Sequence, residues 1–90
     1  MTLRDVIARL DEFEAGETIF AESPTPTAQA VVAPEHASPA GLNYLLEVDL
    51  AREAIEVWQA WRPGQAPRVE DKLAAVIYYA EHDAWLPTSS

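Results

Sequence analysis

The N-terminal segment has the spacing of apolar residues that one face of a helix requires. Its apolar positions fall at i, i+3, i+4 and i+7: Leu3, Val6, Ile7 and Leu10. Thr2 is a suitable N-cap, and Asp5 follows three residues later, where a capping box places an acid. We therefore predict a helix from residue 3, with Gly16 as its C-terminal stop.

Three later segments have the composition or the alternation of β-strands. Thr18–Ala21 is β-branched and aromatic, and Ala28–Ala33 follows it after a loop with two prolines, so the two segments predict a hairpin. Apolar residues alternate over 42–48, which predicts a third strand. The alternation places four side chains on one face of that strand: Leu42, Tyr44, Leu46 and Val48.

Two helical stripes complete the pattern. Asp49 is a good N-cap for a helix whose apolar stripe reaches Trp61. A last helix begins near Val69 and ends near Trp85. This order predicts one two-layer α+β domain over 1–86, built as a helix, a three-stranded antiparallel sheet and two helices, with a flexible tail at 87–90. The alternative is one long helix over 42–62, which leaves a two-stranded hairpin on a helical bundle.

Composition limits the class of protein. The chain has 90 residues, with 15 Asp or Glu, 6 Lys or Arg and no cysteine, and its net charge is −9. This length holds one hydrophobic core, and the lack of cysteine excludes disulfides and cysteine-based zinc sites. The sequence has no apolar stretch of membrane-spanning length and no signal-peptide pattern, so we expect a cytoplasmic protein of bacterial type.

The negative charge narrows the range of partners. Nucleic acids and anionic membranes are bound through Lys and Arg, and six such residues among fifteen acids are too few for a basic face. A basic protein partner remains, because opposite potentials speed association. Six of the acids lie in residues 1–22, and Glu35 is the only charged residue in 23–46. Asp11, Glu12 and Glu14 are therefore a candidate interface, and a solvated face is the alternative.

Signals of catalysis are absent from the sequence. Three scattered glycines cannot form a phosphate-binding loop, and no serine lies in a G-x-S-x-G motif or has nearby a base that a third group holds. His82, between Glu81 and Asp83, is a candidate site, and a metal there would need further ligands such as Glu35 and His36. A protonated His82 near a helix C-terminus is the alternative. We assign no catalytic, cofactor-binding or metal-binding residue and expect no cofactor.

Aromatic residues near the ends of the last two helices form a second candidate interface. Its members are Trp61, Arg62, Tyr78 and Trp85. Exposed Trp, Tyr and Arg residues are enriched at the centres of interfaces. The alternative is that the rings are half-buried with their polar ends in water.

Five segments of the chain carry a resemblance. They are Thr2-Leu3, Thr18–Ala21, Ala30–Ala33, Tyr44–Val48 and Ala75–Ala84. Together they resemble a family of small uncharacterised bacterial proteins, a domain of unknown function, over nearly the whole chain. The most specific part is the Tyr-Tyr-Ala-Glu block and the Asp-Ala after it. Family members often have Asn or Tyr in place of His82 and an aromatic or apolar residue in place of Asp49. The resemblance therefore implies a single domain and gives His82 no catalytic role.

These patterns favour a non-enzymatic, acidic protein–protein interaction module. Two forms of it are open: an immunity- or antitoxin-like protein that covers a basic toxin, and a homodimer. The alternative is a small ligand- or metal-binding enzyme that uses the Glu81-His82-Asp83 region.

Overall fold

The helices and strands follow one another in the predicted order. The computed structural model describes residues 1–37 and 39–87. The helices are α1 (Leu3–Ala8), α2 (Val48–Ala60) and α3 (Val69–His82), and the strands are β1 (Thr18–Ala21), β2 (Ala30–Ala33) and β3 (Asn43–Glu47). Two 3₁₀ turns lie at Leu10–Glu12 and Glu35–Ala37. The predicted α+β fold is confirmed, and the alternative of one helix over 42–62 is wrong.

The start of α1 is held by the predicted capping box. The Thr2 hydroxyl accepts a hydrogen bond from the Asp5 N–H at 3.2 Å, and the Asp5 carboxylate accepts one from the Thr2 N–H at 3.0 Å. The Thr2 N–H first, and the Thr2 hydroxyl second, stabilise the ionised carboxylate and hold the pKa of Asp5 below its usual value. The sequence signal for this helix start is therefore confirmed in its chemistry as well as in its position.

The helix α1 is shorter than predicted. It ends at Ala8 and not at Gly16, because the chain tightens into the 3₁₀ turn that follows. Leu10 stays buried in that turn, so the apolar face continues beyond the helix. The guanidinium of Arg52 donates to the Leu10 carbonyl at 3.1 Å and also to the Phe13 carbonyl. These bonds satisfy backbone acceptors that a longer helix would have satisfied internally.

The three helices cover one face of the sheet. The strand order is β2-β1-β3, and β1 is antiparallel to both neighbours. The core between sheet and helices includes side chains from every helix and strand, and its largest fully buried members are Leu3, Ile7, Ile19, Val6, Val48 and Val76. This arrangement leaves the opposite face of the sheet without a helix.

The strand β3 contains an irregularity that reverses a predicted orientation. Ile19 of β1 is paired with Leu46. Its neighbour Phe20 is paired with Tyr44, which leaves Leu45 as an extra residue in β3. Leu46 is 2% exposed in the core, whereas Tyr44 is 51% exposed on the helix-free face. The prediction that Tyr44 and Leu46 share a face is therefore wrong, because an extra residue breaks strict alternation.

The strands β2 and β3 lie on opposite sides of β1. The strand β2 ends opposite Thr18, and β3 begins opposite Ala21. Thr18 and Phe20 flank the core residue Ile19 in β1 and therefore point away from the helices, yet they are only 0% and 3% exposed. The helix-free face therefore also contains buried side chains.

The helix α3 is the longest in the described part of the chain, with 14 residues. No described helix is long and apolar enough to cross a membrane. After α3, Asp83 takes a left-handed conformation (φ 54°), and its N–H donates to the Tyr79 carbonyl at 2.8 Å. Trp85 then stacks on the Tyr79 ring with centroids 4.8 Å apart. Of the predicted tail 87–90, only Pro87 lies among the described residues.

Candidate functional site

Charged residues divide the molecule into two unequal parts. Between Arg9 and Arg52 the sequence contains eight acids and neither lysine nor arginine, and this stretch forms the sheet and its connections. The rest of the chain, which forms most of the three helices, contains seven acids and six bases. Almost all of the net charge therefore belongs to the sheet side of the fold.

A turn at Glu14–Glu17 gathers several of these acids beside the start of α2. The Glu17 N–H donates to the Glu14 carbonyl at 3.0 Å and closes the turn. The Val48 N–H donates to the Glu17 carbonyl at 2.9 Å and docks the turn on α2. Four acidic residues are thereby held at this end of the sheet: Glu14, Glu17, Glu47 and Asp49.

Tyr44 lies on the helix-free face, close to two of these acids, Glu47 and Asp49. Its ring meets the buried Phe20 ring edge-on, with centroids 6.4 Å apart and planes at 82°. Its hydroxyl donates to the carboxylate of Glu47. That bond, partial desolvation and the surrounding negative charge raise the pKa of Tyr44 to about 12. The contributing carboxylates are Glu47, Glu35 and Asp49. Tyr44 is therefore an oriented, neutral ring in a strongly negative field.

Val31 is the second exposed apolar side chain on the helix-free face. It is paired with Phe20 on the side opposite Tyr44, and it is 38% exposed. Among the described residues, four large hydrophobic side chains are this exposed, and Val31 and Tyr44 are two of them. We use the name acidic sheet face for the surface of Val31, Tyr44, Glu35, Glu47 and Asp49, together with Glu14 in the turn that is bonded to the Asp49 backbone. Its combination of apolar contact area and negative charge suits a partner that is both apolar and cationic.

The predicted acidic interface is divided between two surfaces. Glu14 belongs to the acidic sheet face. Asp11 and Glu12 lie in the 3₁₀ turn after α1, where Glu12 forms an ion pair with Arg9 at 3.4 Å. Asp11 lines a groove between α1 and α2. Asp11, Glu12 and Glu14 were grouped because they are neighbours in the sequence, but the fold places them on two different surfaces.

Most of the predicted aromatic interface is used inside the molecule. The Arg62 guanidinium lies over the Trp58 ring, 4.7 Å from its centroid. It donates to the Trp58 carbonyl at 3.2 Å and to the Pro87 carbonyl at 3.0 Å. The bond from Arg62 to Pro87 thus holds the segment after α3 in place. Trp85 in this segment stacks on Tyr79 of α3. Trp61 is 46% exposed and remains available for contacts.

The residues of the candidate site around His82 are brought together only in part. Glu81, His82 and Asp83 are exposed at the end of α3, and the His82 ring packs on Tyr78 with centroids 4.2 Å apart. His36 is exposed in the 3₁₀ turn between β2 and β3. Within residues 1–37 and 39–87, no three His, Asp or Glu side chains are placed to hold a metal ion. The geometry of this part of the chain gives the metal-binding alternative no support.

Tyr44 was not predicted as a site residue, because strict alternation along β3 places its side chain on the core face. A signal for the site is nevertheless present in the sequence. The stretch between Arg9 and Arg52 lacks every lysine and arginine, and Tyr44 is its only tyrosine. Counting charge over 1–22 and 23–46 divided that stretch and hid it.

Comparisons with protein families, with curated proteins and with solved structures find no match to this chain. The resemblance to a family of small bacterial proteins stays a prediction.

Proposed function

We propose that this protein is a non-enzymatic interaction module that binds a basic protein through the acidic sheet face. The observation that carries the proposal is an exposed aromatic ring, Tyr44, within a chain segment of eight acids and no lysine or arginine. Exposed rings supply contact area at interfaces, and an uncompensated negative field accelerates encounter with a basic protein.

The surroundings of Tyr44 suit a cationic side chain of the partner. A Lys or Arg over the ring gains a cation–π attraction of about 0.5–2 kcal/mol. Glu47, which accepts the Tyr44 hydrogen bond, has a second carboxylate oxygen for the same cation. Val31 offers apolar contact on the other side of Phe20. A partner segment with apolar and basic residues close together fits both features.

The charge of this surface favours a different protein over a second copy. Two copies that met through the acidic sheet face would bring carboxylates together, and the segment between Arg9 and Arg52 has no base to compensate them. Self-association through this face is therefore disfavoured. An immunity- or antitoxin-like role, in which the face covers a basic toxin, is one form of the proposal.

Site-specific photo-crosslinking in the source cell tests the proposal. A benzophenone amino acid is placed at position 44, and in a separate variant at position 74, where Ala74 is exposed on α3. We expect position 44 to yield an adduct with a protein of net positive charge, identified by mass spectrometry, and position 74 to yield none. Equal adducts from both positions, an acidic partner, or an adduct with a second copy would contradict the proposal.

A matched pair of charge variants then measures the role of the face with the purified partner. Glu14→Gln with Glu35→Gln removes two exposed acids from the acidic sheet face, and Glu53→Gln with Glu81→Gln removes two exposed acids from the helical side. We expect the first pair to slow association about three- to tenfold at low ionic strength, because electrostatic steering depends on local charge. The second pair should have a much smaller effect. Equal slowing by both pairs would show that only net charge matters.

A further inference from the structure

Four of the six basic residues are paired with a carboxylate or an aromatic ring within the protein. Three form ion pairs with acids: Arg4, Arg9 and Arg68. Arg62 lies over Trp58. The remaining two, Arg52 and Lys72, form no ion pair within residues 1–37 and 39–87. In a protein with a net charge of −9, two cations without a carboxylate partner are unexpected.

Arg52 and Lys72 line the same groove. It lies between α1 with its following turn, the middle of α2 and the start of α3, and its cavity volume is about 430 Å³. Small-molecule sites commonly have volumes of roughly 300–1,000 Å³. Its accessible apolar lining is Ala8, Ile55 and Pro67, and the buried Ile7 and Leu10 lie beneath them. Two acids, Asp11 and Glu56, line it as well.

The position of Arg52 is fixed before any ligand binds. Its Nη2 donates to the carbonyls of Leu10 and Phe13, which anchors the guanidinium on the turn after α1. Its Nη1 makes no hydrogen bond with the described residues. A donor held in place without a protein partner favours a ligand that carries acceptor oxygens, because little entropy is lost when it binds.

We propose that the groove binds a small zwitterion with an apolar body, such as an α-amino acid with a large apolar side chain. A simple anion would pair with Arg52 and Lys72 but would face Asp11 and Glu56. A simple cation would pair with Asp11 and Glu56 but would be repelled by Arg52 and Lys72. A zwitterion places its carboxylate near the two bases and its ammonium near the two acids, so each charged group gains a partner. The apolar side chain then packs on the accessible parts of Ile55 and Pro67.

NMR titration of the full chain tests this inference with three related probes. L-phenylalanine carries both charges, 3-phenylpropanoate lacks the ammonium, and 2-phenylethylamine lacks the carboxylate. We expect saturable shifts of the Ile7 and Ile55 methyl signals with L-phenylalanine. Each single-charge probe should bind about tenfold more weakly or not at all, because a charge-assisted hydrogen bond is lost. No saturable shift up to the solubility of L-phenylalanine, or equal binding of all three probes, would overturn the proposal.

Two matched pairs of variants assign the charged groups. Lys72→Gln removes a groove cation, and Arg68→Gln removes an exposed cation one turn away on the same part of the chain. Glu56→Gln removes a groove acid, and Glu53→Gln removes an exposed acid outside the lining. We expect about tenfold weaker binding for each groove variant and less than about twofold change for each control. Unchanged spectra in the absence of probe confirm that all four variants are folded, and equal effects within a pair would overturn the assignment. This inference is independent of the proposed function, since the groove lies apart from the acidic sheet face.

Discussion

The sheet side and the helical side of this protein differ in the balance of acidic and basic residues. On the helical side acids and bases nearly balance, and most bases are held in ion pairs or over a ring. On the sheet side eight acids lie in a stretch without lysine or arginine, and among the described residues only Glu12 of these forms an ion pair, with the preceding Arg9. Concentrated like charge destabilises a compact state through self-repulsion. The local hydrogen bonds to Glu17, Glu22 and Glu47 do not neutralise this charge, so the comparison points to an external partner for the sheet side.

The two faces of the central strand differ in a related way. Ile19 points into the core beneath the helices, whereas the neighbouring Phe20 points to the helix-free face and is buried there beside two exposed side chains, Val31 and Tyr44. The first face is a packed core. The second is a thin apolar layer that is partly open to solvent. The exposed side chains of Val31 and Tyr44, packed beside the buried Phe20 ring, are suited to contact with a partner.

The largest predicted effect is a difference in the free energy of unfolding between truncations on the two faces of the sheet. Ile19→Ala removes a side chain that is 0% exposed in the core, and it should cost about 2–5 kcal/mol of the free energy of unfolding. Val31→Ala truncates a side chain that is 38% exposed on the helix-free face, and it should cost less than about 1 kcal/mol. Urea denaturation followed by circular dichroism measures both values.

Equal costs at Ile19 and Val31 would mean that the helix-free face is a second core. In that case the exposed part of Val31 would have to be covered in solution, for example by a second copy. Light scattering at the concentration of the denaturation experiment distinguishes the two situations, because a monomer has a mass of 9.9 kDa.

Much of the fold could be predicted from local signals. The capping box at Thr2 and Asp5, the strand Thr18–Ala21 and the existence of the two later helices each depend on residues close together in sequence. The predicted Asp49 N-cap is wrong, because α2 already begins at Val48, and α3 ends at His82 and not near Trp85. The end of α1 could not be predicted in this way, because the 3₁₀ turn is held by Arg52, some forty residues later. Local patterns cannot show that a distant side chain will supply hydrogen bonds.

The candidate site was harder to predict for the same reason. Strict alternation put Tyr44 in the core, and only the pairing of β3 with β1 reveals the extra residue Leu45. The groove cations Arg52 and Lys72 meet only after α2 and α3 have packed. The acidic stretch between Arg9 and Arg52 can be recognised from the sequence alone. The exposure of the Tyr44 ring within that stretch cannot.

The second prediction sharpens the description of the sheet side through the titration of Tyr44. Its pKa is raised from 10.0 to about 12, first by the hydrogen bond to Glu47. Between these values the unfolded chain loses the phenolic proton while the folded chain keeps it. Stability linked to Tyr44 is therefore full below pH 10 and is lost as the pH rises toward 12. Absorbance of the phenolate near 295 nm measures the titration.

Two variants identify the source of that shift. Tyr44→Phe should remove the highest titration step and the associated loss of stability. Glu47→Gln keeps a hydrogen-bond acceptor but removes a charge, so the pKa of Tyr44 should fall toward its usual value. A titration curve unchanged by Tyr44→Phe would show that the highest step belongs to another tyrosine and would contradict the geometry described for this ring.

The smallest predicted effect tests the charge comparison itself through salt. If the sheet side is self-repelling, added salt should stabilise the protein, because the Debye length falls to about 10 Å at 0.1 M. We expect the free energy of unfolding to increase by about 0.5 kcal/mol between low and moderate ionic strength, or Tm to rise by roughly 2–4 °C for a domain of this size.

Two pairs of variants show which acids cause this salt response. Glu14→Gln with Glu35→Gln should reduce the rise in Tm substantially. Glu53→Gln with Glu81→Gln should leave it nearly intact, because those acids lie in the part of the chain that also holds all six bases. A salt response that both pairs reduce equally would mean that the negative charge acts as a whole-molecule property, and the contrast between the two sides would lose its meaning for stability.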